Sequence, residues 1–235
     1  MRRETEIAAG SGDISMSGMQ MANRLGVGIG TARRTGIKLC GIRRIEDAGP
    51  VNEFMPDYIG FIFWSHSARY VTLPQALSLR GRIDQRIPAV GVFVNENPER
   101  IKACVDAGAI QVIQLHGQET KEEIISLKEE LPDIPVWQAF RIRSRGDLRQ
   151  AERSAADEIL LDNGGGTGEC FDHRLLVGIG RRYILAGGLE PGNISQIIRT
   201  YRPYMVDVSS GVETEGRKDR EKIKRVMQAV ATGNC

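Results

Sequence analysis

Two side chains of complementary acid–base character close β-like runs: Cys40 ends KLC (38–40) and Asp162 ends EILLD (158–162). Strand alternation places Lys38 with Cys40 on one face, and Glu158, Leu160 and Asp162 together on another, so Cys40 and Asp162 can both point into a common mouth. A thiolate and a carboxylic acid delivered by different strands form a base and acid pair suited to moving a proton along a sugar carbon chain. Each residue also has a plainer reading, an inert buried thiol for Cys40 and a turn former or helix cap beside Asn163 for Asp162. Gly187-Gly188 and Ser209-Ser210-Gly211 follow two later runs. Small residues let backbone N–H groups approach an anion, so these turns are read as a phosphate cradle in preference to ordinary tight turns. Gln114 and His116 share a strand face and either can line a substrate pocket, a structural histidine being the alternative. Lys38 and Asp207 read as a buried ion pair between first and last strands, because either charge alone would be costly to bury; Asp207 is also placed to meet a ribose hydroxyl.

Positioning these groups requires a regular frame. From Ile37 onward, short β-branched runs alternate with stretches of helical period, separated by Gly, Pro, Asn or Asp. The strands are predicted at 37–41, 58–63, 89–94, 110–115, 134–140, 158–162, 182–186 and 204–208. The helices that follow are predicted at 45–54, 74–83, 98–107, 119–130, 145–154, 171–178, 192–200 and 218–230. Eight units of about 25 residues suit parallel strands with right-handed crossovers, and predict an α/β chain forming a single-domain (β/α)8 TIM barrel over 37–235, with its chemistry at the C-terminal strand ends. An open doubly wound sheet would announce a nucleotide loop after the first strand, and none follows Cys40.

Composition narrows the function classes. The 235 residues are 41 % apolar and 26 % charged, enough for a substantial core and unlike a disordered or collagen-like chain. The net charge of +2, with no basic stretch interleaved with aromatics, argues against nucleic acid as a partner. IGFIFW (59–64) and AVGVFV (89–94) are far shorter than the roughly 20 residues that span a bilayer, so no membrane partner is expected. The four cysteines form no CxxC pair and the three histidines have no metal-ligand spacing, so no metal site is expected. Reduced thiols suit the cytoplasm. Residues 1–36 carry four of the seven methionines and little periodicity, and are read as a disordered N-terminal extension; their GVGIG (26–30) has no strand before it to make a dinucleotide loop.

Taken in order, KLCGIRRIEDA (38–48), DYIGFIFWSHSARYVT (57–72), VGVFVNENPERI (90–101), IQLHGQE (113–119), LLDNGGGTGECFD (160–172), ILAGGLEPGNI (184–194) and VDVSSGVETEGRKD (206–219) resemble the phosphoribosylanthranilate isomerase family. The resemblance spans essentially all of 37–231. It implies a single-domain barrel of tryptophan biosynthesis, requiring no cofactor, that acts as monomer or homodimer on a small phosphosugar. The implied reaction is the Amadori rearrangement of N-(5-phosphoribosyl)anthranilate to 1-(2-carboxyphenylamino)-1-deoxyribulose 5-phosphate. It implies Cys40 as general base, Asp162 as general acid, and Arg69 of the SxRY motif as the holder of the anthranilate carboxylate, a task suited to a planar bidentate donor. Three positions depart from the family pattern: Glu169 stands where a lysine usually follows GGTG, His173 where an aromatic often follows FD, and His66 where a lysine often precedes SxRY. Barrel and phosphate turns alone would equally suit a ribulose-phosphate epimerase or another phosphosugar isomerase, readings that do not explain Cys40, Arg69 and Asp162 together. The changes at Glu169 and His173 are what a non-catalytic binder of a phosphorylated ligand or partner would rest on.

Overall fold

The computed structural model describes residues 34–162 and 173–235. Most of the 1–36 extension, the segment after Asp162 with Glu169, and the side chain of His173 lie outside the described residues.

Eight parallel strands close into a barrel: β1 (Gly36–Cys40), β2 (Tyr58–Ile62), β3 (Ala89–Phe93), β4 (Val112–Leu115), β5 (Val136–Arg141), β6 (Glu158–Asp162), β7 (Tyr183–Leu185) and β8 (Met205–Val208), with β8 pairing back onto β1. Around them lie α1 (Ala48–Phe54), α2 (Leu73–Arg80), α3 (Pro98–Asp106), α4 (Lys121–Glu130), α5 (Arg145–Glu152), α6 (Ile194–Tyr201) and α7 (Arg220–Gly233). The fold is the (β/α)8 TIM barrel. No helix among the described residues is long and apolar enough to cross a membrane.

Alternation along each strand sorts two cores. Residues of one parity, including Ile37, Leu39, Ile59, Phe61, Ile113 and Leu161, pack between sheet and helices. Those of the other parity, including Tyr58, Val90, Val112, Trp137, Leu160, Ile184 and Met205, fill the barrel interior. A fully buried phenylalanine such as Phe61 is worth about 3–5 kcal/mol against alanine. Polar caps fix where the loops at the mouth end: Thr72, Asn97, Thr120, Ser144 and Asp219 each accept a backbone N–H from the first turn of the helix they precede.

Several expected boundaries shift for local reasons. β5 begins at Val136 instead of 134 because Pro135 has no N–H for the ladder. β4 begins at Val112 instead of 110. The side chain of Gln111 accepts from Ala89 N at 2.9 Å, taking the place of a ladder partner. The first expected helix opens as a 3-10 turn (Ile45–Asp47) before α1. In place of a helix over 171–178, the described residues show a single 3-10 turn, His173–Leu176, ended by Gly178 at φ +87°. A hairpin that the sequence pattern did not suggest, β9 (Glu213–Thr214) and β10 (Arg217–Lys218), follows β8. Its turn is Glu215-Gly216, both at positive φ (51° and 70°), the pattern of a type I′ hairpin.

Candidate active site

The C-terminal strand ends enclose a cleft of about 950 Å³ whose walls include Cys40, Arg69, Gln114, His116, Asp162, Gly187, Gly188, Asp207, Ser209 and Ser210. The chain therefore brings together, from six different strands or their following loops, every singled-out site residue except Gly211. A Cβ on Gly211 would lie 1.9 Å from Leu189 O, so this glycine lets the β7 and β8 loops touch and stands behind the cleft wall.

On the β1 side, Cys40 pairs in register with Gly60 of β2, and a Cβ there would come 2.8 Å from Cys40 Sγ and 3.0 Å from Lys38 Cε. The bare backbone of Gly60 is what makes room for both side chains. Lys38 is fully buried and pairs in register with Asp207 across the seam. Its Nζ donates to Asp207 Oδ2 and to Gln114 Oε1, each at 2.9 Å. Burial pulls the Lys38 ammonium down, but Asp207 and the neighbouring Cys40 outweigh it and hold its pKa above the usual value. Burial pushes the Cys40 thiol above its ordinary range, against the opposing pull of Lys38 and Lys218. Asp207 lines the cleft, and its Oδ1 is buried without a hydrogen-bond partner.

On the β4–β6 side, His116 Nε2 lies 3.6 Å from Asp162 Oδ2, and its Nδ1 lies 3.3 Å from Gln114 Nε2. Burial holds the imidazole below its usual pKa, with Asp162 pulling the other way. Gln114 thus joins the two sides of the barrel, accepting from Lys38 and meeting His116.

On the β7–β8 side, Gly187 and Gly188 both take positive φ (86° and 64°), a backbone that favours glycine. Asn193 Nδ2 donates to Gly188 O at 2.8 Å and Asn193 Oδ1 accepts from Glu190 N at 3.0 Å, fixing the loop after β7. Ser209 Oγ donates to Cys40 O at 3.2 Å, joining the β8 loop to β1.

Arg69 is engaged by a residue the sequence reading passed over. Its Nε and Nη2 donate to Glu213 Oε1 and Oε2, both at 2.7 Å, and Lys218 Nζ donates to Glu213 Oε1 at 2.8 Å and to Ser209 O at 3.0 Å. Burial raises Glu213, but the two cations bring it down to about 2. A Cβ on Gly41, at φ +80°, would come 2.5 Å from Arg69 Cδ, so the guanidinium stem crosses directly over the end of β1. His66 and Trp64 line the same rim with ring centroids 5.4 Å apart. Among the described residues no group of three or more His, Cys, Asp or Glu converges as metal ligands.

Comparison with known proteins points the same way as the geometry. The family model described as N-(5'-phosphoribosyl)anthranilate (PRA) isomerase matches residues 37–229. The N-(5'-phosphoribosyl)anthranilate isomerase of Caldanaerobacter subterraneus subsp. tengcongensis is 42 % identical over 201 residues, covering 83 % of this chain and 97 % of that protein. A crystal structure of phosphoribosyl anthranilate isomerase in complex with reduced 1-(o-carboxyphenylamino)-1-deoxyribulose 5-phosphate superposes with a TM-score of 0.75 at 34 % identity, covering 84 % of this chain and 98 % of the other. Monomers generated from the dimeric enzyme of Thermotoga maritima match with a TM-score of 0.74 at 35 % identity, over 84 % and 98 %. The barrel, the strand-end cleft and the matched span together place the chain in the N-(5'-phosphoribosyl)anthranilate isomerase family.

Proposed function

We propose that Cys40 and Asp162 are the base and acid with which this isomerase converts N-(5'-phosphoribosyl)anthranilate to 1-(2-carboxyphenylamino)-1-deoxyribulose 5-phosphate. The observation that carries the assignment is that a buried thiol and a carboxyl from β1 and β6 line one cleft, with an arginine and two glycine- or serine-bearing loops on the same walls.

In this reading Asp162, as the carboxylic acid, gives its proton to the furanose ring oxygen. The C1′–O bond breaks, and the anilinic nitrogen lone pair closes an iminium at C1′. Cys40, as thiolate, then removes the C2′ proton, and the electrons of that bond flow back to nitrogen to give an enolamine. The enolamine tautomerises to the ketone, its O2′ proton leaving as C1′ gains one, and proton exchange resets Cys40 and Asp162. Each positioned proton transfer contributes about 10²–10⁴-fold. Burial makes the Cys40 thiolate harder to form and also a stronger base once formed, and the nearby Lys38 and Lys218 ammonium groups favour its formation. Arg69 holds the anthranilate carboxylate. The backbone around Gly187-Gly188 and Ser209-Ser210 receives the phosphate, Asp207 meets a ribose hydroxyl, and Gln114 and His116 line the ring pocket. All these groups come from one chain, so a monomer and a homodimer would carry equally complete sites.

The test is loss of anthranilate fluorescence on mixing purified protein with substrate. Turnover by the parent and its near-abolition in Cys40→Ser, with substrate affinity retained, supports the assignment; near-normal turnover by Cys40→Ser removes the thiol from the mechanism.

A further inference from the structure

The β9–β10 hairpin delivers two charged side chains that neither give nor take a proton in the proposed transfers. Glu213 and Lys218 face each other in register, and their side chains are 7 % and 2 % exposed. Charges buried this deeply need a compensating role or a partner. Here the partners form a chain: Arg69 grips Glu213 through Nε and Nη2, Glu213 accepts from Lys218, and Lys218 donates to the backbone of Ser209. One end of that chain is the carboxylate clamp and the other is the phosphate loop. Two cations share one carboxylate, so the cluster retains one net positive charge, which an incoming carboxylate would balance. Glu213 occupies the Nε edge of the guanidinium, and Nη1 forms no hydrogen bond among the described residues, which leaves a donor edge for substrate.

We propose that Glu213 and Lys218 are positioning residues: Glu213 orients the Arg69 guanidinium for the substrate carboxylate, and Lys218 ties that clamp to the Ser209 loop so that the spacing of the two anionic anchors is set by the hairpin. The proposal rests on the reading of Arg69 as the carboxylate clamp. An untethered arginine would surrender side-chain entropy each time substrate bound, and a tethered one has already done so.

The experiment measures kcat, KM, competitive inhibition by inorganic phosphate and Tm for Glu213→Gln, Lys218→Met, Arg69→Lys and the combination of Glu213→Gln with Arg69→Lys. Glu213→Gln should lower kcat/KM by about 10- to 100-fold, the worth of a charge-assisted hydrogen-bond pair, while phosphate inhibits as in the parent. Lys218→Met should lower kcat/KM and also weaken phosphate inhibition, because it releases the Ser209 carbonyl. With Arg69→Lys already present, Glu213→Gln should cost less than about threefold more, since the group it orients is gone. If Glu213→Gln alone folds poorly, the neutral pair Glu213→Gln with Lys218→Met removes both charges together and should show the same kinetic loss at parental Tm. Full activity in Glu213→Gln while Arg69→Lys is impaired overturns the proposal, and so do losses that simply multiply in the combined variant. Full activity in Arg69→Lys instead overturns the clamp reading beneath it.

Discussion

The two sides of the cleft are built differently. Around β8, β1 and β2, short charged hydrogen bonds of 2.7–2.9 Å lock Lys38 to Asp207, Arg69 to Glu213 and Glu213 to Lys218. Around β4 to β6, His116 and Asp162 stand 3.6 Å apart and Gln114 reaches His116 at 3.3 Å. The thiol on the first side is 7 % exposed; the carboxyl on the second is 15 % exposed. The difference matches what each proton transfer of the proposed mechanism needs. A base that abstracts from carbon works from a fixed, dry position, and the Lys38 and Lys218 ammonium groups offset part of the burial that disfavours its thiolate. An acid that protonates a ring oxygen must also regain its proton from outside, and a partly exposed carboxyl beside an imidazole kept neutral by burial can do so.

The largest effects should come from removing either of the two groups proposed to react. Cys40→Ser and Asp162→Asn should each lower kcat by about 10²–10⁴-fold with folding intact, measured by anthranilate fluorescence and circular dichroism. Equal tolerance of both changes would erase the contrast between the sides. Next in size is Lys38→Met, which leaves Asp207 as an uncompensated buried charge and should cost about 3–5 kcal/mol in urea unfolding. Adding Asp207→Leu should restore most of that stability without restoring turnover, and a loss under about 1 kcal/mol for Lys38→Met would show that the locked side is not locked by this pair.

A smaller effect should appear in acid. Glu213 titrates at about 2 in the fold against an ordinary 4.5, so its contribution to stability is complete above pH 4.5 and is lost as the pH falls towards 2. Between those values the parent should lose more stability than Glu213→Gln, read from urea midpoints at each pH, and parallel curves would mean the carboxylate is not held by its cations. The smallest effect is expected away from both sides. We propose that residues 1–34 are dispensable, because they offer no sustained apolar face to bury. A chain beginning at Thr35 keeps the bonds from Thr35 to Asn234 and Pro203 and should match the full chain in Tm and kcat; a Tm loss of several degrees would show otherwise.

Much of this is legible in the sequence. β2, β3, β6, β7 and β8 lie within about a residue of their predicted bounds because each is a short, mostly apolar run bounded by turn-forming or charged residues, its side chains alternating between the two faces. The same alternation put Lys38 opposite Asp207 and aimed Cys40 and Asp162 inward. Glu213 and Lys218 escaped because two-residue strands are too short to show a period, and the partner of each charge lies across a turn or far along the chain. One local signal was available, the Glu215-Gly216 dipeptide flanked by Glu213-Thr214 and Arg217-Lys218, which suits a type I′ turn and would have set Glu213 beside Lys218. Arg69's engagement with Glu213 had no such signal, since 144 residues separate them.

The seam between β8 and β1 also has a meaning for synthesis. Lys38 meets Asp207, and Cys40 meets Ser209, across 169 residues of chain, so one wall of the Cys40 pocket is synthesised well before the other. At ordinary elongation rates the ribosome takes on the order of ten seconds to supply the second wall. Throughout that interval the first strand carries a lysine with no carboxylate to bury it, which disfavours premature docking of β1 into an apolar half-barrel. A growing chain therefore cannot assemble the thiol's surroundings early, and a transcript cut short before β8 yields no partial enzyme.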